Sequence, residues 1–551
     1  MMPLPQKINQ TGVFTVSSSC VKLFGDDVAF AADILQKKGV TVAENAAVEL
    51  MLKCEKTQRT TYIEQARRVS NEKFIIEISV SGETAKIVVT YAHRHGLFYA
   101  LECIGEYLYN GEIPVGEIVD YPLFKKRGYI EGFYGKPWTF EERTKMIALM
   151  AQSRMNSYFY APKDDPYHRE KWRDLYPEKE LGELKKIIGL CGENFVEFTF
   201  CIAPGLSMCY SSEDDYNALL CKVKQLYNNG VNGFGLLLDD IPETLYFECD
   251  KQRFDNETVN AHIWLSNRLY DDLRALDPAI NLTVCPMQYH GNGDEYFISR
   301  FGSNLDPMIN IFWTGHNICS QELTCAEAAV FERSTLHRPL YWDNFPVNDC
   351  EMYNEMHMGY LYGREKELYA HSEGLISNCM EYAAASAVPL LTVADYLWNP
   401  LAYNPRESWK KALATCFGDD ADKVIYFTDN LLFSCLKVEN SSLFNQTAND
   451  AQQAYYSGDV ETAVKILNDY IEKLNECCDL LESGKFEAFA SMEKWIDKQL
   501  LMRDILVKAV TLFDNPVAKG EVQAMLDEYL NMPAVLMDFS FQSLTERLLE
   551  L

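Results

Sequence analysis

Between about residues 123 and 402 the chain alternates short apolar runs with longer stretches of helical periodicity, and it does so eight times. The runs at 127–133, 157–161, 197–203, 234–239, 282–286, 310–313, 339–342 and 375–378 read as buried strands. Between them lie helix-like stretches, among them 140–155, 179–194, 215–228 and 259–276. Strands separated by helices pair in parallel and need helices over their faces, and eight such units suit a closed (β/α)8 barrel. A doubly wound open sheet is the alternative. No Gly-x-Gly-x-x-Gly follows the first strand, so the barrel is the expected fold.

A chain of 551 residues is too long for one ordinary core. Residues 1–122 form an α+β supporting domain in this reading, with a β-hairpin over 74–80 and 86–91 and a helix over 96–108. The barrel occupies 123–402. Residues 403–551 are all-helical, with apolar spacing over 408–413, 424–436, 448–482, 486–513 and 521–551. Those helices either pack on the barrel or supply a homodimer contact.

Charge narrows the partners. With 51 basic against 80 acidic residues the net charge is −29, a surface that repels nucleic acid and anionic membrane and disfavours a polyanionic substrate. No apolar run approaches the roughly 20 residues of a membrane helix, and the first residues lack the apolar segment of a leader. A cytoplasmic protein is expected, or a secreted one whose leader was trimmed. The 17 cysteines show no Cys-x-x-Cys spacing and read as reduced thiols. The nine histidines show no His-Glu-x-x-His; neither a metal nor a cofactor is expected.

The chemistry gathers where strands end. Gly233-Phe234-Gly235-Leu236-Leu237-Leu238 is an apolar run that stops at Asp239-Asp240. Neighbouring side chains on a strand face opposite ways, so two adjacent carboxylates share a target only where the strand is ending. Crowding them raises the pKa of one and leaves a proton donor beside an anion, which glycosidic hydrolysis can use. An Asp pair alone can equally cap a helix. The other strand ends tip the balance: Gly132 and Tyr134, Lys163, Tyr289, Trp342 with Asn344 and Asp349, and Asn378 all follow strands, on the face where barrel enzymes work. Amides and carboxylates suit sugar hydroxyls, and aromatic rings suit the apolar face of a neutral sugar.

The stretches Arg127-Gly128-Tyr129-Ile130-Glu131-Gly132-Phe133-Tyr134-Gly135-Lys136-Pro137-Trp138 and Ala161-Pro162-Lys163-Asp164-Asp165-Pro166-Tyr167-His168 carry a resemblance, with Leu238-Asp239-Asp240-Ile241 and Trp342-Asp343-Asn344 following in order. They resemble glycoside hydrolase family 84, the protein O-GlcNAcases and bacterial β-N-acetylglucosaminidases, some labelled hyaluronidases. The resemblance implies a retaining exo-β-N-acetylglucosaminidase that uses the substrate's own 2-acetamido oxygen as nucleophile and passes through an oxazoline. It implies that Asp239 orients the acetamide, that Asp240 is the general acid/base and that Tyr289 donates a hydrogen bond in the acetamide pocket. Gly132, Lys163, Asn344, Asp349 and Asn378 match sugar-binding positions, Tyr134 and Trp342 the aromatic walls, and Cys285 the pocket lining. The implied partner is a glycan or glycoprotein bearing N-acetylglucosamine. Two alternatives stay open: a hyaluronidase-type glycosidase, and a GlcNAc-binding protein that has lost catalysis. Asp164, Asp165 and His168 are read as scaffold.

Overall fold

The structure, a computed structural model, describes residues 3–55, 71–514 and 516–550. Seven strands open the chain: β1 (Lys7–Thr15), β2 (Cys20–Gly25), β3 (Thr41–Val42), β4 (Val48–Cys54), β5 (Phe74–Ser81), β6 (Thr84–Tyr91) and β7 (Glu112–Asp120). They form one sheet in the order β1-β7-β5-β6-β4-β2-β3. The expected hairpin is β5–β6, antiparallel from Phe74 opposite Tyr91 to Ser81 opposite Thr84. Phe74, Ile76 and Ile78 alternate onto the buried face, where the helix Arg94–Asn110 brings Leu97, Leu101 and Ile104 against them.

The next eight strands are β8 (Lys126–Glu131), β9 (Ser157–Tyr160), β10 (Glu197–Ile202), β11 (Gly233–Leu237), β12 (Asn281–Cys285), β13 (Asn310–Trp313), β14 (Pro339–Asp343) and β15 (Gly374–Asn378). All pair in parallel, and β15 closes on β8. Each of the eight expected strands is present. Alternation sorts their side chains into two layers. Ile130, Phe159, Cys201, Leu237, Cys285, Phe312, Leu340 and Ile376 fill the barrel, one from each strand. Their neighbours, among them Tyr129, Tyr158, Phe200, Leu236 and Tyr341, face the surrounding helices. Helix starts follow local chemistry: Thr139 and Glu142 make a reciprocal capping box before Phe140–Gln152, and Thr324 and Glu327 make another before Cys325–Thr335.

The remaining chain is helical. Pro405–Phe417 and Ala421–Thr428 belong to the barrel's own core through Trp409, Leu413, Phe417, Val424 and Phe427. Ser442–Tyr456, Val460–Glu482, Glu493–Val510, Lys519–Asn531 and Asp538–Leu549 build a separate core around Phe444, Leu474, Ile505, Leu526 and Phe541. Four stretches expected as helices are interrupted: 424–436 leaves the α-helix after Thr428, 486–513 enters its α-helix only at Glu493, and two more break inside. The stretch 448–482 breaks at Gly458, which turns through φ 88°. The stretch 521–551 breaks between Asn531 and Asp538, where Pro533 supplies no amide hydrogen.

Buried polar contacts tie the sheet to the barrel. Arg154, at the end of Phe140–Gln152, pairs with Asp120 at the end of β7, and both are nearly inaccessible. Asp120 also accepts from Trp398 Nε1 at 2.8 Å and from the Gln6 amide at 3.0 Å.

Candidate active site

Strand β11 decides where the two carboxylates go. Phe234, Leu236 and Leu238 face the helices, while Leu237 faces the barrel interior. The next inward position is Asp239. Continued extension would turn Asp240 outward, but its backbone adopts the left-handed region at φ 50°. That region costs an ordinary residue about 1–2 kcal/mol, and Asp tolerates it better than most. The turn brings Asp240 to the same hollow as Asp239.

That hollow is a cavity of about 490 Å³ at the C-terminal mouth of the barrel. It lies within the roughly 300–1,000 Å³ range of small-molecule sites. All eleven candidates line it: Asp239, Asp240, Tyr289, Gly132, Tyr134, Lys163, Cys285, Trp342, Asn344, Asp349 and Asn378.

Asp239 is recessed. Lys163 Nζ lies 3.9 Å from its Oδ2, and the same ammonium stands 5.0 Å from the centre of the Tyr134 ring. Burial pushes the Asp239 carboxyl above the ordinary carboxylate range; Asp240 adds to the rise and Lys163 opposes it. Burial alone would lower the Lys163 ammonium, but Asp239, Tyr134 and Asp240 together hold it above its usual value. The inner carboxyl, Asp239, is thus raised chiefly by burial, with the neighbouring Asp240 adding to the rise. Asp240 is exposed at the mouth and accepts two phenol hydroxyls, Tyr134 at 2.9 Å on Oδ2 and Tyr289 at 3.2 Å on Oδ1. Tyr289 thus donates to Asp240, and burial with that anion pushes its hydroxyl up.

The opposite wall is built from β14 and β15. Asn344 Oδ1 accepts from Trp342 Nε1 at 3.0 Å and from Asn378 Nδ2 at 2.9 Å, while its own amide donates to the Ile318 carbonyl. Asn378 Oδ1 is buried with no partner among the described residues. Asp349 accepts the Tyr134 amide at 2.7 Å, and burial raises its carboxyl. Gly132 is required by proximity, since a Cβ there would stand 2.7 Å from Trp342 Cζ2. Cys285 is buried, and its thiol is held well above its usual range.

Ile318, Cys319, Cys350, Glu351 and Met352 also line the cavity and were not legible in the sequence, whereas Thr314, which lines it too, stands where the sixth barrel strand was expected to end. They lie in loops after β13 and β14 whose course no periodicity fixes. Arg169 is a further addition: its guanidinium donates to the Tyr134 hydroxyl at 3.3 Å, behind the bond that hydroxyl makes to Asp240. Three motif residues are scaffold. Asp165 accepts the Tyr160 and Tyr176 hydroxyls and the Tyr167 amide, Glu131 accepts Arg143, Tyr158 and the Trp138 amide, and buried His168 meets the Cys201 carbonyl. Among the described residues one group could gather a cation, Cys209, Cys249 and Asp250, outside this cavity. The Asp250 carboxylate already accepts the amides of Tyr210 and Ser211.

The sequence matches a family model described as beta-N-acetylglucosaminidase over residues 127–429. Protein O-GlcNAcase from Rattus norvegicus and from Mus musculus are each 30% identical over 275 residues, 49% of this chain and 29% of the relative. The chain therefore spans less than a third of the length of those curated relatives. Among solved structures, a Thermobaculum terrenum O-GlcNAc hydrolase mutant is 31% identical with a TM-score of 0.73, covering 78% of this chain and 95% of that one. A structure described as CpGH84B shares the fold across 100% of this chain and 99% of its own, with a TM-score of 0.84 at 24% identity. The family match takes in more than half of the chain and every expected cavity residue from Gly132 to Asn378, so the chain belongs to the β-N-acetylglucosaminidase family, glycoside hydrolase family 84.

Proposed function

We propose that this chain is a retaining exo-β-N-acetylglucosaminidase that removes N-acetylglucosamine from the Ser or Thr of glycoproteins, or from small glycosides, by substrate-assisted catalysis. One observation carries the reading: two adjacent carboxylates in unlike settings, recessed Asp239 and exposed Asp240, open on one sugar-sized cavity. Asp239 accepts the acetamide N–H and aims the carbonyl oxygen at the anomeric carbon. That oxygen attacks, the bond to the aglycone breaks, and Asp240 gives its proton to the departing oxygen. The product is an oxazoline, whose developing positive charge Asp239 steadies. Asp240, now a carboxylate, takes a proton from water as water opens the oxazoline. Two displacements leave the anomeric configuration unchanged.

The walls support a neutral sugar. Asn344, Asp349 and Asn378 supply donors and acceptors for hydroxyls, and the unpartnered Asn378 Oδ1 is a ready acceptor for one. Trp342 and Tyr134 supply aromatic faces, and the Tyr289 hydroxyl, which lines the cavity and meets Asp240, is the expected donor to the acetamide. Asp239, Asp240, Asp349 and Glu351 outnumber Lys163 along the lining, which disfavours the uronate of hyaluronan. The free state of the seventeen cysteines supports work in a reducing, cytoplasmic compartment. No helix among the described residues is long and apolar enough to cross a membrane. The divisions at 122/123 and 402/403 and a homodimer through the C-terminal helices belong to the same reading, with Pro405–Phe417 and Ala421–Thr428 packing back into the barrel's core.

The test compares release of N-acetylglucosamine from an O-linked glycopeptide, a chitobiose-type disaccharide and hyaluronan, beside an aryl β-N-acetylglucosaminide. Turnover of the aryl glycoside and the glycopeptide with hyaluronan intact is expected. Binding without turnover of any substrate would leave only the sugar-binding alternative.

A further inference from the structure

Cys209 and Cys249 stand 40 positions apart, so no Cys-x-x-Cys spacing announces them, yet the fold sets their sulfurs 3.4 Å from each other. Cys209 lies in the loop after β10, where its amide donates to Asp215 at 2.8 Å. Cys249 and Asp250 belong to the short helix Glu248–Arg253, in the loop after β11. Asp250 Oδ1 is 3.6 Å from the Cys209 sulfur, and one ligand atom from each of the three side chains falls within 4.8 Å of the other two. Asp250 is 1% exposed. Among the described residues its carboxylate is met by the Tyr210 amide at 3.0 Å, the Ser211 amide at 2.6 Å and the Cys209 thiol, and by no basic side chain. Arg253 is turned instead to the Ser211 carbonyl at 3.4 Å and the Trp264 ring at 4.4 Å. A buried carboxylate with no counter-charge is costly. Its two amide bonds fix its orientation, as outer partners of a ligating carboxylate do, and still leave each oxygen a lone pair.

We propose that Cys209, Cys249 and Asp250 form a binding site for a thiophilic divalent cation of the zinc class. Two sulfurs select such an ion over magnesium or calcium, which take oxygen ligands. Tetrahedral zinc, with bonds of about 2.3 Å to sulfur and about 2.0 Å to oxygen, sets two sulfurs about 3.8 Å apart and a sulfur about 3.5 Å from the oxygen. The separations here, 3.4 Å and 3.6 Å, reach those values by shifts of a few tenths of an ångström. Each thiol gives its proton to solvent as its sulfur donates an electron pair to the metal, so nothing is oxidised or reduced. Cys249 is exposed, which leaves the fourth position to water. The site lies outside the sugar cavity, so the ion acts as a clasp between two loops and takes no part at the sugar. One of those loops also carries Asp240 and Ile241, and the two already meet closely, since a Cβ at Gly205 would stand 2.9 Å from Ile241 Cδ1. The proposal does not rest on the glycosidase reading.

The experiment strips the full chain with a chelator, keeps it reduced with a phosphine, and dialyses it against micromolar zinc. Bound metal is measured by elemental mass spectrometry, and cobalt(II) serves as the spectroscopic probe. Expected are one zinc per chain, a sulfur-to-cobalt charge-transfer band, and a Tm raised by zinc. Cys209→Ser and Cys249→Ser each lose all three, whereas Cys221→Ser, at another exposed thiol, keeps them. Asp250→Asn keeps the band but needs more free metal to fill. Because Cys249 is exposed, its variant tests the site even where the Cys209 variant fails to fold, and an unchanged metal-free Tm shows that it has folded. A reduced wild-type chain that retains no zinc overturns the proposal. So does undiminished zinc in Cys249→Ser, or cobalt bound without the charge-transfer band, which would place the ion on oxygen and nitrogen ligands elsewhere.

Discussion

Asp240 is the residue on which the proposed chemistry turns, because its left-handed backbone brings a second carboxylate to a cavity that strand alternation would give only one. Asp240→Asn removes protonation of the leaving oxygen, so kcat/KM for poor leaving groups should fall by about 10²–10⁴-fold while aryl glycosides with acidic phenols lose far less. Asp239→Asn should slow both classes alike, since it disturbs the nucleophile itself; a panel of leaving groups reads the difference. The Asp239 carboxyl is raised by burial, with Asp240 adding and Lys163 opposing. It must be ionised to work, so the acidic limb of kcat/KM, which reports the free enzyme, should lie above the ordinary carboxylate range. The acetamide N–H favours the carboxylate once substrate is bound, so the limb of kcat should lie lower than that of kcat/KM. Arg169 touches Tyr134 and not the cavity, and is assigned as a positioning residue acting through that hydroxyl. Arg169→Gln should then cost much less in a Tyr134→Phe background, with a coupling energy of about 0.5–3 kcal/mol in kcat/KM.

At the scale of elements, the barrel depends on how closely neighbouring strands approach. Gly235 on β11 lies opposite Cys201 on β10, and a Cβ at 235 would stand 2.5 Å from the Cys201 sulfur. Gly235→Ala should destabilise by about 1–3 kcal/mol, as overpacking of a filled core does, with a lowered Tm as the readout. The same paired Cys201→Ala substitution should recover part of the loss. Barrel strands were legible because they are covered on both sides and read as continuous apolar runs. The N-terminal sheet was legible only at β5–β6. Strand β1 has seven consecutive exposed residues and so carries no apolar alternation to detect. The break at Gly458 shows the converse, since periodicity continues through a turn that one residue's positive φ makes.

For the whole molecule, the N-terminal sheet is locked to the barrel by the Arg154–Asp120 pair and the Trp398 bond to the same carboxylate. Removing one partner of a buried pair strands the other charge. Asp120→Ala should therefore cost about 3–5 kcal/mol in denaturant unfolding. The protein that remains folded should keep its KM, because Asp120 is not among the residues lining the cavity.

Periodicity and composition alone determined the alternation of eight strands with helices, the helical end of the chain and the acidic surface. Residue types at strand ends pointed to ten of the eleven cavity candidates, because a parallel barrel sends every strand's C-terminal end to one mouth, and the eleventh, Cys285, came from the family resemblance. Only the tertiary structure decided that burial raises the Asp239 carboxyl, that Tyr289 reaches Asp240, and that Arg169 and Cys319 border the site. Those outcomes depend on burial and on distances between segments far apart in the chain. A linear pattern fixes which way a side chain leaves its strand, but not what another loop brings to meet it.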